Sequence, residues 1–357
     1  MTLTFSARLA QRDLDVALDL APGERVALLG PNGAGKSSVL HLLAGTLRPD
    51  SGRATLDGRD LFTLEPGSGE RGRWRPPYDR GVAMLAQDPL LFPHLTVLDN
   101  VAFGPRSTGL NRARSRAAAR RWLDEVGMGD VADRSPAALS GGQAQRIAVA
   151  RALAAEPRLL LLDEPLAALD VAAAPLLRRT LRRVLHDRSA IIVTHDLLDA
   201  TLLAHRVVVL DGGRVVETGP TAEVLRHPRS AFTARLAGLN LVEGTVDEHA
   251  VRHGDAVRIE GIPRLPLSPG EPAIGVFSPT AVAVYLHDAG GSPRNAVPVV
   301  IHELEPRDNL VRVRAAASDD LTLTADVTLG VVGELDLHPG QRVVFSIKAT
   351  AVTLYPL

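Results

Sequence analysis

The chain has 357 residues, which is too long for one typical domain and sufficient for two domains with buried cores. Its formal net charge of -1 provides no overall field that would attract nucleic acid, so nucleic acid is not an expected partner. The absence of cysteine excludes disulfide bonds, cysteine metal sites and thiol catalysis. No apolar run approaches the ~20 residues that cross a bilayer, so any role at a membrane is expected to be peripheral.

Lysine is rare in this chain, and its two occurrences mark candidate functional positions. The 40 basic residues comprise 38 arginines and two lysines, Lys36 and Lys348. A compact, flexible ammonium is not interchangeable with a guanidinium where a phosphate or a small anion is bound. Chance also explains the presence of only two lysines, so a functional role for either one must rest on the neighbouring residues.

The first half of the chain alternates short apolar runs with helical stretches between Leu14 and Thr194, which predicts a mostly parallel sheet covered by helices. Before it, Met1–Ala10 alternates as a strand does and lacks the pattern of a secretory signal. The stretch Glu65–Pro77 is rich in Gly, Pro and Arg and is expected to be a loop. The best strand candidates are Arg25–Leu29, Gly81–Leu85, Leu159–Leu162, Ala190–Val193 and Arg206–Leu210.

The first chemical motif in chain order, GPNGAGKSS, lies between an apolar strand candidate and a helical sequence. Its glycines let successive backbone N–H groups wrap phosphate oxygens, Lys36 is expected to reach the β- and γ-phosphates, and the Ser37 hydroxyl is expected to bind Mg²⁺. A Gly-rich turn alone would often be only a turn, but these flanks favour a phosphate loop. The predicted nucleotide contacts are Gly30, Pro31, Asn32, Gly33, Ala34, Gly35, Lys36, Ser37 and Ser38.

A second anion-binding turn is predicted at the sequence LSGGQ, directly before the helical stretch AQRIAVARALAAEP. Ser140, Gly141, Gly142 and Gln143 would place backbone N–H groups at a helix N-terminus, where the helix dipole favours negative charge. The simpler alternative is a helix start capped by serine. The phosphate loop in the same chain favours the anion-binding interpretation of this turn.

The third motif, LLLLDEP, is an apolar strand that ends in two carboxylates. At the carboxyl edge of a parallel sheet, Asp163 would hold Mg²⁺ through water, and Glu164 would polarise the attacking water. A strand followed by a solvated acidic turn is the alternative. The presence of a phosphate loop in the same chain favours the catalytic interpretation.

These three motifs, in this order, resemble the motif set of ABC ATPases over about Leu3–Leu236. The resemblance implies an α/β P-loop NTPase fold with a mostly parallel sheet and a helical subdomain. It implies ATP and Mg²⁺ as ligands, and a head-to-tail homodimer in which each ATP lies between one phosphate loop and the LSGGQ of the other subunit. Integral membrane permease subunits are implied as partners, and a periplasmic or extracellular substrate-binding protein indirectly.

The same resemblance gives roles to three further residues. Gln87 in LAQDP matches the glutamine that contacts Mg²⁺ and the attacking water, so that Ser37, Gln87 and Asp163 are the expected Mg²⁺ residues. His195 in VTHD matches the histidine between the γ-phosphate and the catalytic carboxylate. Asp170 in LAALD matches the aspartate at the seam of the dimer. The expected catalytic group is therefore Glu164, His195 and Gln87.

The chain departs from the family pattern at two places. The family usually carries an aromatic ring before the phosphate loop that stacks on adenine, but Ala7–Gln11 contains none and Phe5 lies too early. Base recognition is therefore expected to be weak. In the loop at the dimer seam, Ala167 replaces a residue that usually bears a hydroxyl, which would remove a hydrogen bond across the dimer.

After about Gly238 the sequence changes to β-branched runs separated by Pro-Gly and Gly-Gly turns, which predicts an all-β, OB-like region. This region contains a repeat, because residues 267–285 match residues 337–355 at a constant offset of 70. Each copy follows an Asn-led strand, Asn240–Val246 or Asn295–Ile301. The predicted division is therefore an ATP-binding domain at 1–236, a degenerate first β module at 237–290 and a second β module at 291–357.

An ABC ATPase with such a β extension resembles the importer ATPases. In the second β module, SPRN at Ser292–Asn295 and IKATAV at Ile347–Val352 resemble the TOBE/Mop-type oxyanion-binding modules of molybdate-handling proteins. That resemblance implies a tetrahedral dianion bound by Ser292, Arg294 and Lys348. The first copy has Ser278 in the position of Lys348, so its site is expected to be lost. The alternative is that SPRN is a turn and Lys348 a solvated strand residue.

The expected function is that of the ATP-hydrolysing subunit of an importer for molybdate or tungstate, at the cytoplasmic face of the cell membrane. Molybdate or tungstate is also the expected ligand of the β region. An importer ATPase for sulfate, sugar, polyamine or iron is the alternative within the family. A non-transport ABC protein or an oxyanion sensor is the alternative outside transport.

Overall fold

The computed structural model describes residues 1–65, 72–167, 169, 173–255, 257–287 and 290–357. It divides into two compact units, Met1–Ala222 and Glu223–Leu357. Within the described residues, no helix combines the length and the apolar character that crossing a membrane requires. The predicted aspartate at the dimer seam, Asp170, lies outside the described residues.

The strands of the first unit are β1 (Leu3–Leu9), β2 (Leu14–Leu20), β3 (Arg25–Leu29), β4 (Ser51–Leu56), β5 (Arg59–Leu64), β6 (Arg73–Trp74), β7 (Val82–Leu85), β8 (Leu159–Asp163), β9 (Ser189–Val193), β10 (Arg206–Asp211) and β11 (Arg214–Pro220). Its helices are α1 (Lys36–Ala44), α2 (Val97–Ser107), α3 (Arg112–Glu125), α4 (Gly141–Ala154), α5 (Ala173–Val184) and α6 (Leu197–Leu203), and α7 (Thr221–Arg226) spans the division.

Two sheets form the first unit in its described part. The larger has the strand order β11-β10-β3-β9-β8-β7, in which every neighbouring pair is parallel except β10 with β11. The smaller is antiparallel, with the order β2-β1-β4-β5-β6. All five strand candidates of the parallel sheet are thereby confirmed. Of the predicted loop Glu65–Pro77, residues 66–71 lie outside the described part, whereas β6 pairs with β5.

The parallel sheet is covered on both faces, because alternate residues of its apolar strands enter different hydrophobic cores. Leu160 and Leu162 of β8 pack in the core that contains residues of α2, α3 and α4. Leu159 and Leu161 pack in the core that contains residues of α1 and of the antiparallel sheet. Helices α1 and α4 therefore lie on opposite faces of the sheet.

The second unit contains helices α8 (Ala231–Leu236) and α9 (Leu329–Glu334). Its strands are β12 (Asn240–Asp247), β13 (Ala250–His253), β14 (Val257–Glu260), β15 (Ile262–Pro263), β16 (Pro272–Phe277), β17 (Val282–Tyr285), β18 (Asn295–Arg307), β19 (Leu310–Ala316), β20 (Thr322–Thr328), β21 (Arg342–Ile347) and β22 (Thr353–Pro356). Among the described residues they form sheets of order β14-β13-β12-β16-β22-β15 and β17-β21-β18-β19-β20.

The two copies of the repeat exchange their last strands. β17 belongs to the first copy but pairs with β21 of the second, and β22 belongs to the second copy but pairs with β16 of the first. One hydrophobic core contains residues of both predicted β modules, including Val242, Ile259, Phe345 and Leu354. Each copy therefore completes the sheet of the other.

The observed division differs from the predicted domain boundaries in two respects. The second unit begins at Glu223 rather than at 237, since α8 contacts β12 and belongs to the β unit. The region also does not separate into modules at 290, because the exchanged strands and the shared core join 237–290 to 291–357. The sequence repeat identifies the two copies, but it does not show which strand pairs with which.

Candidate functional site

The carboxyl ends of the parallel strands bring four predicted residues to one edge of the sheet. Leu28 of β3 and Asp163 of β8 are both paired with Val193 of β9, and Leu85 of β7 is paired with Leu162 of β8. The residues that follow these strands are Gly30, Gln87, Glu164 and His195. Because ligands of open α/β sheets bind at this edge, the register assembles the predicted site from four separate parts of the sequence.

The phosphate loop begins with a glycine that no other residue can replace. Gly30 has a φ of +144°, and a Cβ at this position would lie 2.1 Å from the carbonyl oxygen of Leu210 on β10. The loop then leads into α1, whose first residue is Lys36. Nζ of Lys36 donates to the carbonyl oxygens of Gly30 at 2.8 Å and Pro31 at 2.9 Å. The lysine thus closes the loop over its own backbone and keeps its ammonium at the loop.

The charges at the loop suit a phosphate and a hard cation. Burial lowers the pKa of Lys36, against the opposing attraction of Glu164 and Asp163. Burial also raises the pKa of Asp163, although a hydrogen bond with the Ser37 side chain opposes this effect. A buried ammonium gains from phosphate oxygens, and a carboxylate beside a hydroxyl matches the oxygen ligands of Mg²⁺. The residues present therefore fit ATP and Mg²⁺, and Asp163 and Ser37 offer the oxygen atoms that a metal would need.

The two predicted catalytic side chains are neighbours. Nδ1 of His195 lies 3.4 Å from Oε1 of Glu164. Glu164 has a φ of +47°, a strained left-handed conformation for a residue other than glycine, and its N–H donates to the carbonyl oxygen of Val193 at 3.0 Å. The side chain of Glu164 is 21 % exposed and that of His195 is 68 % exposed. The backbone of Glu164 is thus fixed to β9, while the imidazole of His195 is accessible to a ligand.

A network that the sequence analysis missed supports the loop of His195. Asp196 caps α6 by accepting from the backbone N–H groups of Leu198 and Asp199. Thr194 accepts from the backbone N–H of Asp196 at 3.0 Å and donates to the Asp199 carboxylate at 3.5 Å. Nε of Arg178 on α5 donates to the same carboxylate at 2.6 Å. A capping aspartate directly after the histidine was the signal in the sequence, but the partner on α5 was not foreseeable.

The LSGGQ sequence begins α4, as predicted. Ser140 accepts from the backbone N–H of Gln143 at 3.3 Å, and the Gln143 side chain accepts from the backbone N–H of Ser140 at 3.0 Å. This reciprocal capping box fixes the start of the helix. Within the described part of the chain, no hydrogen bond or ion pair links Ser140–Gln143 to the phosphate loop. The reason is that α4 and α1 cover opposite faces of the sheet.

The predicted oxyanion residues lie at the ends of two paired strands of the second unit. Asn295 is paired with Ile347 in the antiparallel register of β18 and β21, so the next positions, Arg294 and Lys348, face each other. Ser292, Arg294 and Lys348 are exposed. Among the described residues, neither Arg294 nor Lys348 has a carboxylate within ion-pair distance. In the first copy, the hydroxyl of Ser278 is instead bonded to Thr280.

Comparison with known proteins identifies both units. Residues 14–167 match the family described as ABC transporter, and residues 291–354 match the TOBE domain. A molybdenum import ATP-binding protein of Mycobacterium tuberculosis is 49 % identical over 99 % of this chain and 97 % of its own length. The chain belongs to the ABC transporter ATP-binding family. The predicted P-loop fold, the ATPase class and the TOBE-type β region are thereby confirmed.

Two further relatives show the range of the similarity. A sulfate/thiosulfate import ATP-binding protein of Chromobacterium violaceum is 39 % identical over 95 % of this chain and 92 % of its own length. The ATP-binding cassette MJ0796, solved as a dimer in a post-hydrolysis state with ADP and Pi, is 26 % identical, with a TM-score of 0.53. That structure covers 62 % of this ABC chain, and this chain covers 99 % of that structure.

Proposed function

We propose that this ABC ATPase is the ATP-hydrolysing subunit of an importer for molybdate or tungstate. The observation that carries the proposal is the 49 % identity with a molybdenum import protein over nearly the whole of both chains. Two sulfate/thiosulfate import proteins are less similar, one at 39 % identity over 95 % of this chain and one at 45 % over only 69 % of it. Import requires a membrane permease, and we propose that the chain binds permease subunits at the cytoplasmic face of the membrane.

In the proposed reaction, the chain's own residues bind the triphosphate and activate water. Backbone N–H groups of Gly30–Ser38 and the ammonium of Lys36 bind the phosphate oxygens. Ser37, Asp163 and Gln87 would hold Mg²⁺, which would supply positive charge to the phosphates. Glu164 orients and polarises the attacking water, and His195, 3.4 Å from that carboxylate, contacts the γ-phosphate from its exposed side.

We further propose that two copies of the chain act as a head-to-tail homodimer. The phosphate loop and the LSGGQ turn cover opposite faces of one sheet, so one chain offers each triphosphate a single anion-binding turn. A second copy would supply the other turn to the open side of the nucleotide. Ser140, Gly141, Gly142, Gln143 and Asp170 are the proposed contributions of that copy.

In the second unit, we propose that Ser292, Arg294 and Lys348 bind a tetrahedral dianion such as molybdate or tungstate. Two cations at facing strand positions, with no carboxylate in ion-pair distance among the described residues, favour an anionic ligand. Titration of the full chain with molybdate, tungstate and sulfate at fixed ionic strength tests this site. Lys348→Ala should weaken molybdate binding about ten- to a hundredfold, as loss of one charge-assisted contact does. Ser278→Ala is the matched control in the first copy.

The transport function has its own test. The tagged chain is purified from membranes with the permease that accompanies it, and the complex is reconstituted in vesicles. ATP-dependent uptake of molybdate or tungstate is expected, with less uptake of sulfate. Uptake of sulfate in preference to molybdate would contradict the substrate, and a chain that brings no permease would contradict the transport role.

A further inference from the structure

The hairpin between β1 and β2 is packed against the phosphate loop. A short 3₁₀ turn, Ala10–Arg12, joins the strands and ends at Asp13 in the left-handed conformation, with a φ of +46°. A Cβ on Gly35 would lie 2.5 Å from Cδ1 of Leu14, so this leucine contacts the loop directly. The N–H of Asp15 also donates to the carbonyl oxygen of Gly213 at 2.9 Å. The position of the hairpin tip is therefore fixed relative to the loop.

Arg12 is the side chain that this tip holds beside the nucleotide site. Its Nη1 donates to the hydroxyl of Ser38 at 2.8 Å, and Ser38 lies in the first turn of α1, two residues after Lys36. Arg12 is exposed, and within the described part of the chain it has no carboxylate in ion-pair distance. This hydrogen bond thus holds the exposed guanidinium of Arg12 at the edge of the phosphate loop.

A nucleoside triphosphate bound by the loop needs a surface for its base. The terminal phosphates lie with Lys36 and Glu164, so the nucleoside end must leave the loop elsewhere. The hairpin stretch Ala7–Gln11 offers no aromatic ring there. A guanidinium stacks on the flat face of a ring and is less strongly hydrated than an ammonium. We propose that Arg12 supplies the surface on which the nucleotide base stacks.

The inference rests on the ATP-binding function and adds the contact that recognises the nucleoside. Every purine has a flat face, so stacking on Arg12 distinguishes adenine from guanine poorly. The alternative role for the same side chain is a contact between its positive charge and a phosphate. The two roles differ in what they require, because stacking needs a plane, whereas a phosphate contact needs only a charge.

Binding of ATP and GTP to four full-length variants separates these roles. Arg12→Ala should weaken binding of both nucleotides about tenfold, the amount expected from one stacking contact. Arg12→Lys keeps the positive charge but lacks the flat guanidinium group, so it should bind both nucleotides as weakly as Arg12→Ala does. Arg12→Trp keeps a plane without the charge and should bind within about threefold of the wild type. Arg8→Ala removes an exposed arginine from β1 of the same hairpin and should leave affinity unchanged.

The outcomes are decisive in each direction. Wild-type affinity in Arg12→Lys would overturn the proposal in favour of a phosphate contact, and wild-type affinity in Arg12→Ala would show that the side chain does not touch the nucleotide. Affinity as low in Arg12→Trp as in Arg12→Ala would also overturn it. Lys36→Ala reports on the underlying function separately, because it should weaken nucleotide binding through the phosphates. A wild-type chain that binds no ATP would contradict that function itself.

Discussion

At the scale of single residues, the group proposed to bind the triphosphate and the group proposed to activate water lie on different segments of the chain. Lys36 and the loop carbonyls it contacts belong to the chain segment after β3, whereas Glu164 follows β8 and its backbone N–H donates to β9. The two functions therefore reside on different strands. A change at one should leave the other intact.

Glu164→Gln is expected to retain ATP binding and to lose steady-state hydrolysis. The amide has nearly the shape of the carboxylate but cannot polarise the attacking water, while the phosphate loop is unaltered. We expect hydrolysis to fall by a factor of about 10² to 10⁴, the usual contribution of a general base. The measurements are nucleotide affinity and ATPase rate on the same preparation. Normal turnover would contradict the role of Glu164.

At the scale of elements, the position of α6 relative to α5 depends on a buried ion pair. Asp199 is 3 % exposed, and the side chain of Arg178 is 15 % exposed. Burial raises the pKa of Asp199, and hydrogen bonding to Arg178 opposes this effect. Through Thr194, the same carboxylate supports the loop that carries His195. The pair is therefore expected to affect stability and catalysis together.

Asp199→Ala should reduce the free energy of unfolding of the first unit by about 1 to 3 kcal/mol, since it removes the charged hydrogen-bond partner of a largely buried guanidinium, whose remaining carboxylate neighbour, Asp196, lies 3.6 Å away. The rate constant of ATP hydrolysis should fall, because the support of His195 is lost, whereas affinity for ATP should change little. Denaturant unfolding and the division of the effect between kcat and KM measure these quantities. Asp211→Ala, at an exposed carboxylate ending β10, is the control, and equal losses in both variants would refute the positioning role.

In the second unit, buried asparagine side chains lie where the two predicted β modules meet. Two buried asparagines occupy corresponding positions, each at the start of an Asn-led strand. Each forms hydrogen bonds with a residue of the other predicted β module. Asn240 accepts from the N–H of Thr324 at 2.7 Å and donates to its carbonyl oxygen at 2.8 Å. Asn295 makes the equivalent bonds with Glu260 at 2.7 and 2.9 Å. These side chains substitute for backbone pairing where the two copies meet.

Asn295→Ala should lower the free energy of unfolding by about 1 to 3 kcal/mol, because it leaves the N–H and carbonyl of Glu260 without their partner. Asn240→Ala should have a similar effect through Thr324, while nucleotide affinity stays unchanged in both. Asn309→Ala removes an exposed asparagine from the turn between β18 and β19 and serves as the control. Destabilisation no greater than that of the control would show that the two asparagines do not join the copies.

At the scale of the whole molecule, two hydrophobic cores lie in the first unit and a further one lies in the second. His253, in the predicted first β module, and Asp320, in the second, form an ion pair of 3.1 Å. Burial alone would lower the pKa of His253, but hydrogen bonds to Asp320 and to the carbonyl oxygen of Glu243 outweigh it and raise that pKa. Hydrogen bonds from Ser318 and His253 lower the pKa of Asp320.

These shifts predict how the stability of the second unit depends on pH. The raised pKa of His253 stabilises the fold below the unfolded value of about 6.5, and this contribution is lost as the pH rises through the folded pKa. The lowered pKa of Asp320 stabilises the fold above about 3.9, and this contribution is lost as the pH falls. Unfolding at pH 5.5 and pH 8 should therefore show a stability difference that Asp320→Asn reduces. An unchanged difference in that variant would contradict the pair.

The sequence by itself determined the chemistry of this protein. The order of the phosphate loop, LSGGQ and the acidic strand is local information, and so are the strands around each motif, because a motif and its flanking elements are contiguous in the chain. The offset of 70 likewise revealed the repeat before any pairing was known. Lys36, Asp163 and Glu164 could be named from these motifs, whereas His195 was named from the resemblance to ABC ATPases.

Only the tertiary structure decided which separated segments meet. The opposite positions of α1 and α4, the ion pair that supports His195, the contact of Arg12 with Ser38 and the exchange of β17 and β22 all join distant parts of the chain. Side-chain periodicity tells which face of an element is buried, but it carries no information about the element that covers that face. The order of strands within a sheet supplies that information, and it is set by packing of the whole unit.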